Sequence, residues 1–313
     1  MNKKRVFQIL VLVILISWFA VYFYQNIDNF KQIKIVNPFY ILPLGIFVIL
    51  FLISNGLILK YLLDPFKIKL KPKEWFGLSV ITSMGNYLTP FRGGAMAKAI
   101  YLKKVYQFPY SYFLSTLAGI YVIMFLVYSF VGLIAMFFLY HSLEIFNVLI
   151  FVVFLVVFLS LLGIVIFSPK IKESKYSFIN KFIKVFNGLH LIKSNKRSIR
   201  SIGLISLIMV GIMVLRIFLE FKVFGLEISF LSALFLSIVS ILGSFISITP
   251  GALGIREAMV VFTATVMNIP ASQVLAVSIL DRVIILAVIF ILGPIFSYIL
   301  MNRKNDKNEG NNI

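Results

Sequence analysis

Two short stretches of an otherwise apolar chain carry residues that can hold an anion. The first, GNYLTPFRGGAMAKAIYL at 85–102, places Pro90, Arg92, two glycines and Lys98 within a few positions. The second, GSFISITPGALGIREAMVVF at 243–262, repeats the pattern: Thr89-Pro90 leads to Gly94, and Thr249-Pro250 leads to Gly254. Threonine caps helices, and proline is favoured at the first helical position, where its missing N–H would be unpaired anyway. Thr89-Pro90 and Thr249-Pro250 are therefore expected to start helices, presenting free N–H groups and the positive end of the helix dipole. Gly94 and Gly254 leave room for a close approach of backbone or ligand. Arg92 and Arg256 add guanidinium groups, whose planar fork suits phosphate. The expected guest is an anion inside the bilayer, and a lipid phosphate is the anion most readily found there.

Further charges fall within apolar runs. Arg216 and Glu220, four residues apart, share a helix face and can pair. Asp281 and Arg282 lie about ten residues into the last apolar run. At such depth a charge costs at least about 2.5–3.5 kcal/mol on insertion scales, so it faces a cavity or a partner. Glu257 is placed to pair with either Arg92 or Arg282, and the sequence alone does not choose between them.

Other chemistry has little to stand on. There is no cysteine, hence no disulfide and no thiolate metal site. His141 and His190 are far apart in polar connecting segments, where surface roles outweigh metal ligation. No Walker-type phosphate loop, nucleophile elbow or Asp-x-Asp pair occurs. No metal, cofactor or catalytic residue is expected, and an enzyme is the least supported class.

The elements that must carry these residues follow from composition. The 313 residues are 61% hydrophobic and 13% charged, with mean hydropathy +1.02. Soluble domains carry about 25% charged residues, and several runs here reach the length needed to cross hydrocarbon. Backbone polar groups in lipid must be satisfied internally, so these runs are helices. Full spans are expected at about 6–24, 39–63, 110–140, 145–168, 201–223 and 271–300. The first follows Lys3-Lys4-Arg5 but has no small-x-small cleavage site, so it is expected to be a retained anchor.

The net charge of +19 does not point to nucleic acid, because Lys and Arg cluster between spans. Segments 1–5, 60–73, 98–104, 170–200 and 301–313 are basic, whereas 25–38, 141–144 and 222–228 are poor in basic residues. An N-in, C-in orientation places every basic segment in the cytoplasm. Residues 169–200 hold nine basic residues against the single acid Glu173. Within them Phe178, Phe182, Val185, Phe186 and Leu189 form one stripe, as expected of an amphipathic helix on anionic inner-leaflet lipids.

The apolar piece at 75–88 is too short for a comfortable crossing. It is expected to dip in, turn at Thr89-Pro90 and return through about residue 105 as a re-entrant hairpin. The second element, between Glu227 and Asn268, would enter from the opposite face. Two ordinary Pro-kinked helices are the alternative, since 229–248 is long enough to cross outright. The expected fold is an all-α polytopic membrane protein with about six full spans plus two opposed re-entrant helical hairpins, an inverted repeat. It forms one membrane domain over 1–302, with a polar cytoplasmic tail at 303–313, in the cell membrane.

The pairing of Asn86, Pro90, Arg92 and Gly94 with a later Pro250, Gly251, Leu253, Gly254, Arg256 and Glu257 resembles the lysylphosphatidylglycerol synthase transmembrane region family. The resemblance covers about 6–300, and the second motif is the more specific. It implies a flippase-like domain that moves aminoacylated phosphatidylglycerol between leaflets, with Arg92, Glu257 and the region of Arg282 important. The family's synthase carries a soluble aminoacyltransferase domain after its membrane region, whereas this chain ends at Ile313 and is expected not to make the lipid. Gly93-Gly94-Ala95 stands where members often show Gly-Asp, so the cargo does not carry over.

Two readings follow. The first is a lipid flippase whose central cavity binds an anionic headgroup. Asn86, Thr89, Pro90, Arg92 and Gly94 would line one half of it. Thr249, Pro250, Gly251, Gly254, Arg256, Glu257, Asp281 and Arg282 would line the other. The second is a non-enzymatic subunit that binds a polyprenyl-phosphate carrier during envelope or glycan assembly. Expected partners are a membrane phospholipid or lipid-linked substrate, with a second copy, a detached aminoacyltransferase or a glycosyltransferase as protein partner.

Overall fold

The structure, a computed structural model, describes residues 34–167 and 195–309, with side chains to 302, and a few single positions between the two segments. The expected span 6–24 and most of the amphipathic segment 169–200 lie outside the described residues. Among the described residues every regular element is helical. They are α1 (Ile41–Leu63), α2 (Pro72–Leu88), α3 (Gly94–Tyr106), α4 (Tyr110–Leu143), α5 (Val148–Ile166), α6 (Lys196–Val223), α7 (Phe230–Phe245), α8 (Ile255–Val266) and α9 (Ala271–Glu309).

Five of these helices, α1, α4, α5, α6 and α9, are long and apolar enough to cross a membrane. Polar residues set their ends. The side chains of Asn147, Asn195 and Ser229 accept from the backbone N–H three residues on, starting α5, α6 and α7. Pro72 occupies the first turn of α2, and Pro109 fixes the extended residue before α4. Outward faces stay apolar: of the 19 residues of α5 only Phe154 is buried, while Val152, Val153, Val156 and Leu159 are exposed. That surface suits lipid and not water.

α1 and α6 lie side by side and antiparallel. The Ser198 hydroxyl at the start of α6 donates to the Tyr61 carbonyl at the end of α1, 3.0 Å away. At the other end, the N–H groups of Val36 and Asn37 donate to the Val223 carbonyl, at 2.8 and 3.0 Å. This pair forms an axis with two distinct ends.

A hairpin of short helices starts at each end. The first, α2–α3, begins where α1 stops and returns there, since Phe66 after α1 packs edge-on against Phe108 after α3, with ring centroids 4.8 Å apart. Its base is fastened by Glu74, fully buried, which accepts from the hydroxyls of Tyr101 and Tyr106 at 2.7 Å. The second, α7–α8, follows the far end of α6. Helices of 17 and 13 residues, and of 16 and 12, reach about 25 and 20 Å and about 24 and 18 Å. All fall short of the ~30 Å hydrocarbon layer.

The two tips meet. The Phe91 N–H donates to the Ser247 carbonyl at 2.7 Å, and the Tyr87 ring lies against Gly251. α2 leans on α9 and α1, α7 leans on α6 and α4, and α9 holds α8. A long helix, a hairpin and a long helix therefore occur twice, as α1, α2–α3, α4 and as α6, α7–α8, α9.

One local expectation is corrected. Neither Thr-Pro pair starts an α-helix, and the second opens only a single 3-10 turn. Thr89 ends α2, its hydroxyl donating to the Gly85 carbonyl at 2.6 Å, and α3 begins only at Gly94. Thr249 precedes a 3-10 turn at Pro250–Ala252, its hydroxyl donating forward to the Leu253 carbonyl at 2.8 Å, and α8 begins at Ile255. The threonine oxygens satisfy carbonyls instead of capping N–H groups. Reversal takes several more residues, among them Phe91, Arg92 and Gly251 with positive φ.

Candidate functional site

A cavity of about 210 Å³ lies where the tips meet. Its lining runs from Ser247 and Gly251 at the tips to Leu62 near the end of α1 and Phe113 in the first turn of α4. Polar side chains reach it from α2 at regular spacing: Ser79, Thr82, Ser83 and Asn86 occupy one helical stripe. From α3 come Ala95 and Lys98, and from the tip itself Arg92.

Arg92 is held without being neutralised. Its guanidinium carbon sits 3.9 Å from the centroid of the Phe245 ring and 5.5 Å from that of Tyr121. One terminal nitrogen donates to the Tyr121 hydroxyl at 3.1 Å, while Nε has no partner. The two rings meet edge-to-face at 5.1 Å, so α4 and α7 together form an aromatic cradle for the cation. Among the described residues neither Arg92 nor Lys98 has a carboxylate within 4.0 Å. Beside them, Ser79 Oγ, Thr82 Oγ1 and Asn86 Oδ1 are buried and unpaired.

The other charged side chains at the cavity and the second tip contact one another. Asp281 of α9, 1% exposed, accepts from Arg216 of α6 through one oxygen and from Arg256 of α8 through the other. Glu220, also 1% exposed, lies 3.9 Å from Arg216 Nε. This cluster joins three helices at the wall of the cavity. Arg282 forms a two-pronged pair with Glu257, at 2.7 and 2.9 Å, and donates to the Gly251 carbonyl at 3.1 Å. Glu257 also accepts from the Gly254 N–H at 2.8 Å, capping α8. The alternative left open by sequence is thereby decided: Glu257 pairs with Arg282 and not Arg92.

Of the residues singled out in the sequence, Asn86, Arg92, Gly251, Arg256 and Asp281 line the cavity. Thr89, Pro90, Thr249, Pro250 and Gly254 shape the tips, and Glu257 and Arg282 lock the second tip to α9. Gly94 is a contact between the hairpin arms: a Cβ there would lie 2.0 Å from the Thr82 carbonyl oxygen. Sequence reading named Lys98 in the anion-holding stretch without setting it among the lining residues, and it did not single out Tyr121 or the α2 residues Ser79, Thr82 and Ser83. The stripe was visible as hydroxyl and amide residues at 79, 82, 83 and 86 in an apolar helix. Tyr121 carries no such signal, because only the fold brings it to Arg92.

Residues 5–293 match the family described as the lysylphosphatidylglycerol synthase TM region. A UPF0104 membrane protein of Pyrococcus horikoshii is 37% identical over 139 residues, covering 44% of this chain and 39% of that protein. A second, from Methanothermobacter thermautotrophicus, is 28% identical over 130 residues, covering 42% of this chain and 39% of its own length. The match thus spans about two fifths of each relative, and neither name states an activity. No solved structure matches.

Proposed function

Given that this multi-pass membrane protein belongs to the lysylphosphatidylglycerol synthase TM region family, we propose that it is a flippase-like transporter of the cell membrane, binding the phosphate of an anionic lipid in its central cavity. The observation that carries this reading is the pair of cations, Arg92 and Lys98, lining one cavity beside unpaired hydroxyls. Burying uncompensated charge is costly, and an anion relieves the cost.

The two hairpins are re-entrant, one from each face, with the N- and C-termini in the cytoplasm. Their shortness and their origin at opposite ends of the antiparallel α1–α6 pair support this arrangement. The cavity then reaches from mid-membrane towards the cytoplasmic leaflet, where α1 ends and α4 begins. A lipid slides its headgroup to Arg92 while its chains stay in the bilayer. The clusters around Asp281 and Glu257 hold the second repeat together as a unit, and rocking of one repeat against the other passes the headgroup across.

The test is transport of fluorescent phospholipid in vesicles reconstituted with the full chain. Arg92→Ala should abolish transport while the protein still inserts and folds. Arg92→Lys should recover part of it, since an ammonium does not reproduce the guanidinium fork or its stacking. Full transport by Arg92→Ala would refute the phosphate site.

A further inference from the structure

The charges around the cavity also define the charge of its guest, if the guest is the lipid phosphate proposed above. Arg216 and Arg256 both pair with Asp281, and Arg282 pairs with Glu257. Arg92 and Lys98 line the cavity with no carboxylate within 4.0 Å among the described residues. A phosphodiester headgroup such as that of phosphatidylglycerol brings one negative charge and two free oxygens. Adding a lysyl group makes the headgroup net positive. A phosphomonoester brings about 1.5–2 negative charges at pH 7 and three acceptor oxygens.

The donors match the last of these. Arg92 Nε has no partner, the hydroxyls of Ser79 and Thr82 are unpaired, and the Lys98 ammonium adds donors of its own. They come from different elements, Arg92 from the tip, Lys98 from the second turn of α3 and the hydroxyls from α2. A third phosphate oxygen free of any ester is what this second cation can take. Arg92 is fixed between rings, whereas Lys98 sits on a flexible stem.

We propose that the cavity selects a lipid with a terminal phosphomonoester over phosphodiester and aminoacylated lipids, and that Lys98 is the residue that discriminates. The chemistry is shared by a glycerolipid such as phosphatidate, by a polyprenyl monophosphate and by free phosphate.

The experiment is native mass spectrometry of the full-length protein in neutral detergent, titrated with defined probes. Phosphatidate and phosphatidylmethanol differ by one methyl and one charge, so their comparison isolates the second negative charge. Phosphatidate is expected to bind about tenfold tighter, the scale of one added charge-assisted hydrogen bond. Lys98→Met and Lys98→Gln should weaken phosphatidate more than phosphatidylmethanol, bringing the ratio of their affinities to about one, and Lys98→Arg should restore the preference. Farnesyl phosphate binding above or below phosphatidate assigns the cargo to the prenyl or the glycerolipid class, and either ranking supports the site so long as both exceed phosphatidylmethanol. Equal binding of phosphatidate, phosphatidylmethanol and lysylphosphatidylglycerol, unchanged in Lys98→Met, would overturn the selectivity and leave the headgroup site standing. Inorganic phosphate binding as tightly as phosphatidate would overturn the lipid as its source. No binding of any anionic lipid above phosphatidylcholine would remove the headgroup site itself.

Discussion

Asp281 is the residue on which most of the buried charge depends. Its two oxygens serve two arginines from two other helices, and it is 1% exposed. Asp281→Asn keeps the shape but leaves Arg216 and Arg256 facing each other in an apolar surrounding. Removing one partner of a buried pair costs about 3–5 kcal/mol, so a marked drop in thermal midpoint in detergent is expected. Adding Arg256→Met should restore part of the loss, because one orphaned charge then disappears. No recovery in the double variant would mean that Arg256 is not what Asp281 compensates. The sequence exposed Asp281 and Arg282 as costly charges, yet it could not pair them: adjacent positions on one helix serve different partners, and the choice depends on helix rotation. Setting Lys98 in the cavity wall needs the fold for a related reason. A lysine close to the end of an apolar run reads as an interfacial cation until the neighbouring helices show that it points into a cavity.

At the level of elements, length was the legible quantity. An apolar run of 75–88, too short to cross, foretold a hairpin, and α2 and α3 form one. The turn between them was misread, because threonine hydroxyls have two uses in such a place and the sequence does not say which. What closes the hairpin is Gly94, where the backbones of α3 and α2 come together. A methyl there meets Thr82 carbonyl oxygen at 2.0 Å and the Asn86 nitrogen at 2.7 Å, and neither is a side chain that can swing aside. Gly94→Ala is expected to cost about 1–3 kcal/mol, in line with other cases of overpacking. Gly163→Ala, with nothing within 4 Å of the added carbon, is the matched control and should leave the midpoint unchanged or slightly raised. A midpoint for Gly94→Ala equal to that of the control would show that the arms are not in contact as described.

Across the whole molecule, orientation follows from where Lys and Arg fall, and the Cys-free background makes it directly measurable. Single cysteines in place of Lys71 and Lys304 should resist a membrane-impermeant maleimide in intact cells, and one in place of Glu227 should react. Labelling at 71 from outside would reverse the orientation proposed here. The antiparallel pairing of α1 with α6, by contrast, could not be read from the chain. It rests on contacts such as Ser198 with Tyr61, made between residues far apart in sequence.

The meeting of the two tips also imposes an order on biosynthesis. Phe91 finds its backbone acceptor in Ser247, and Arg92 finds half of its aromatic cradle in Phe245. At 5–20 residues per second, the ribosome needs about 8–30 s to travel from one tip to the other. Throughout that interval the first hairpin has been delivered to the membrane with its arginine lacking the ring on which it will lie. A nascent chain halted after Gly225 is thus an unfinished object whose charged tip has no seat, and pulse-chase should find it degraded quickly beside the stable full-length product. The first half must therefore wait for the second before the cavity is complete.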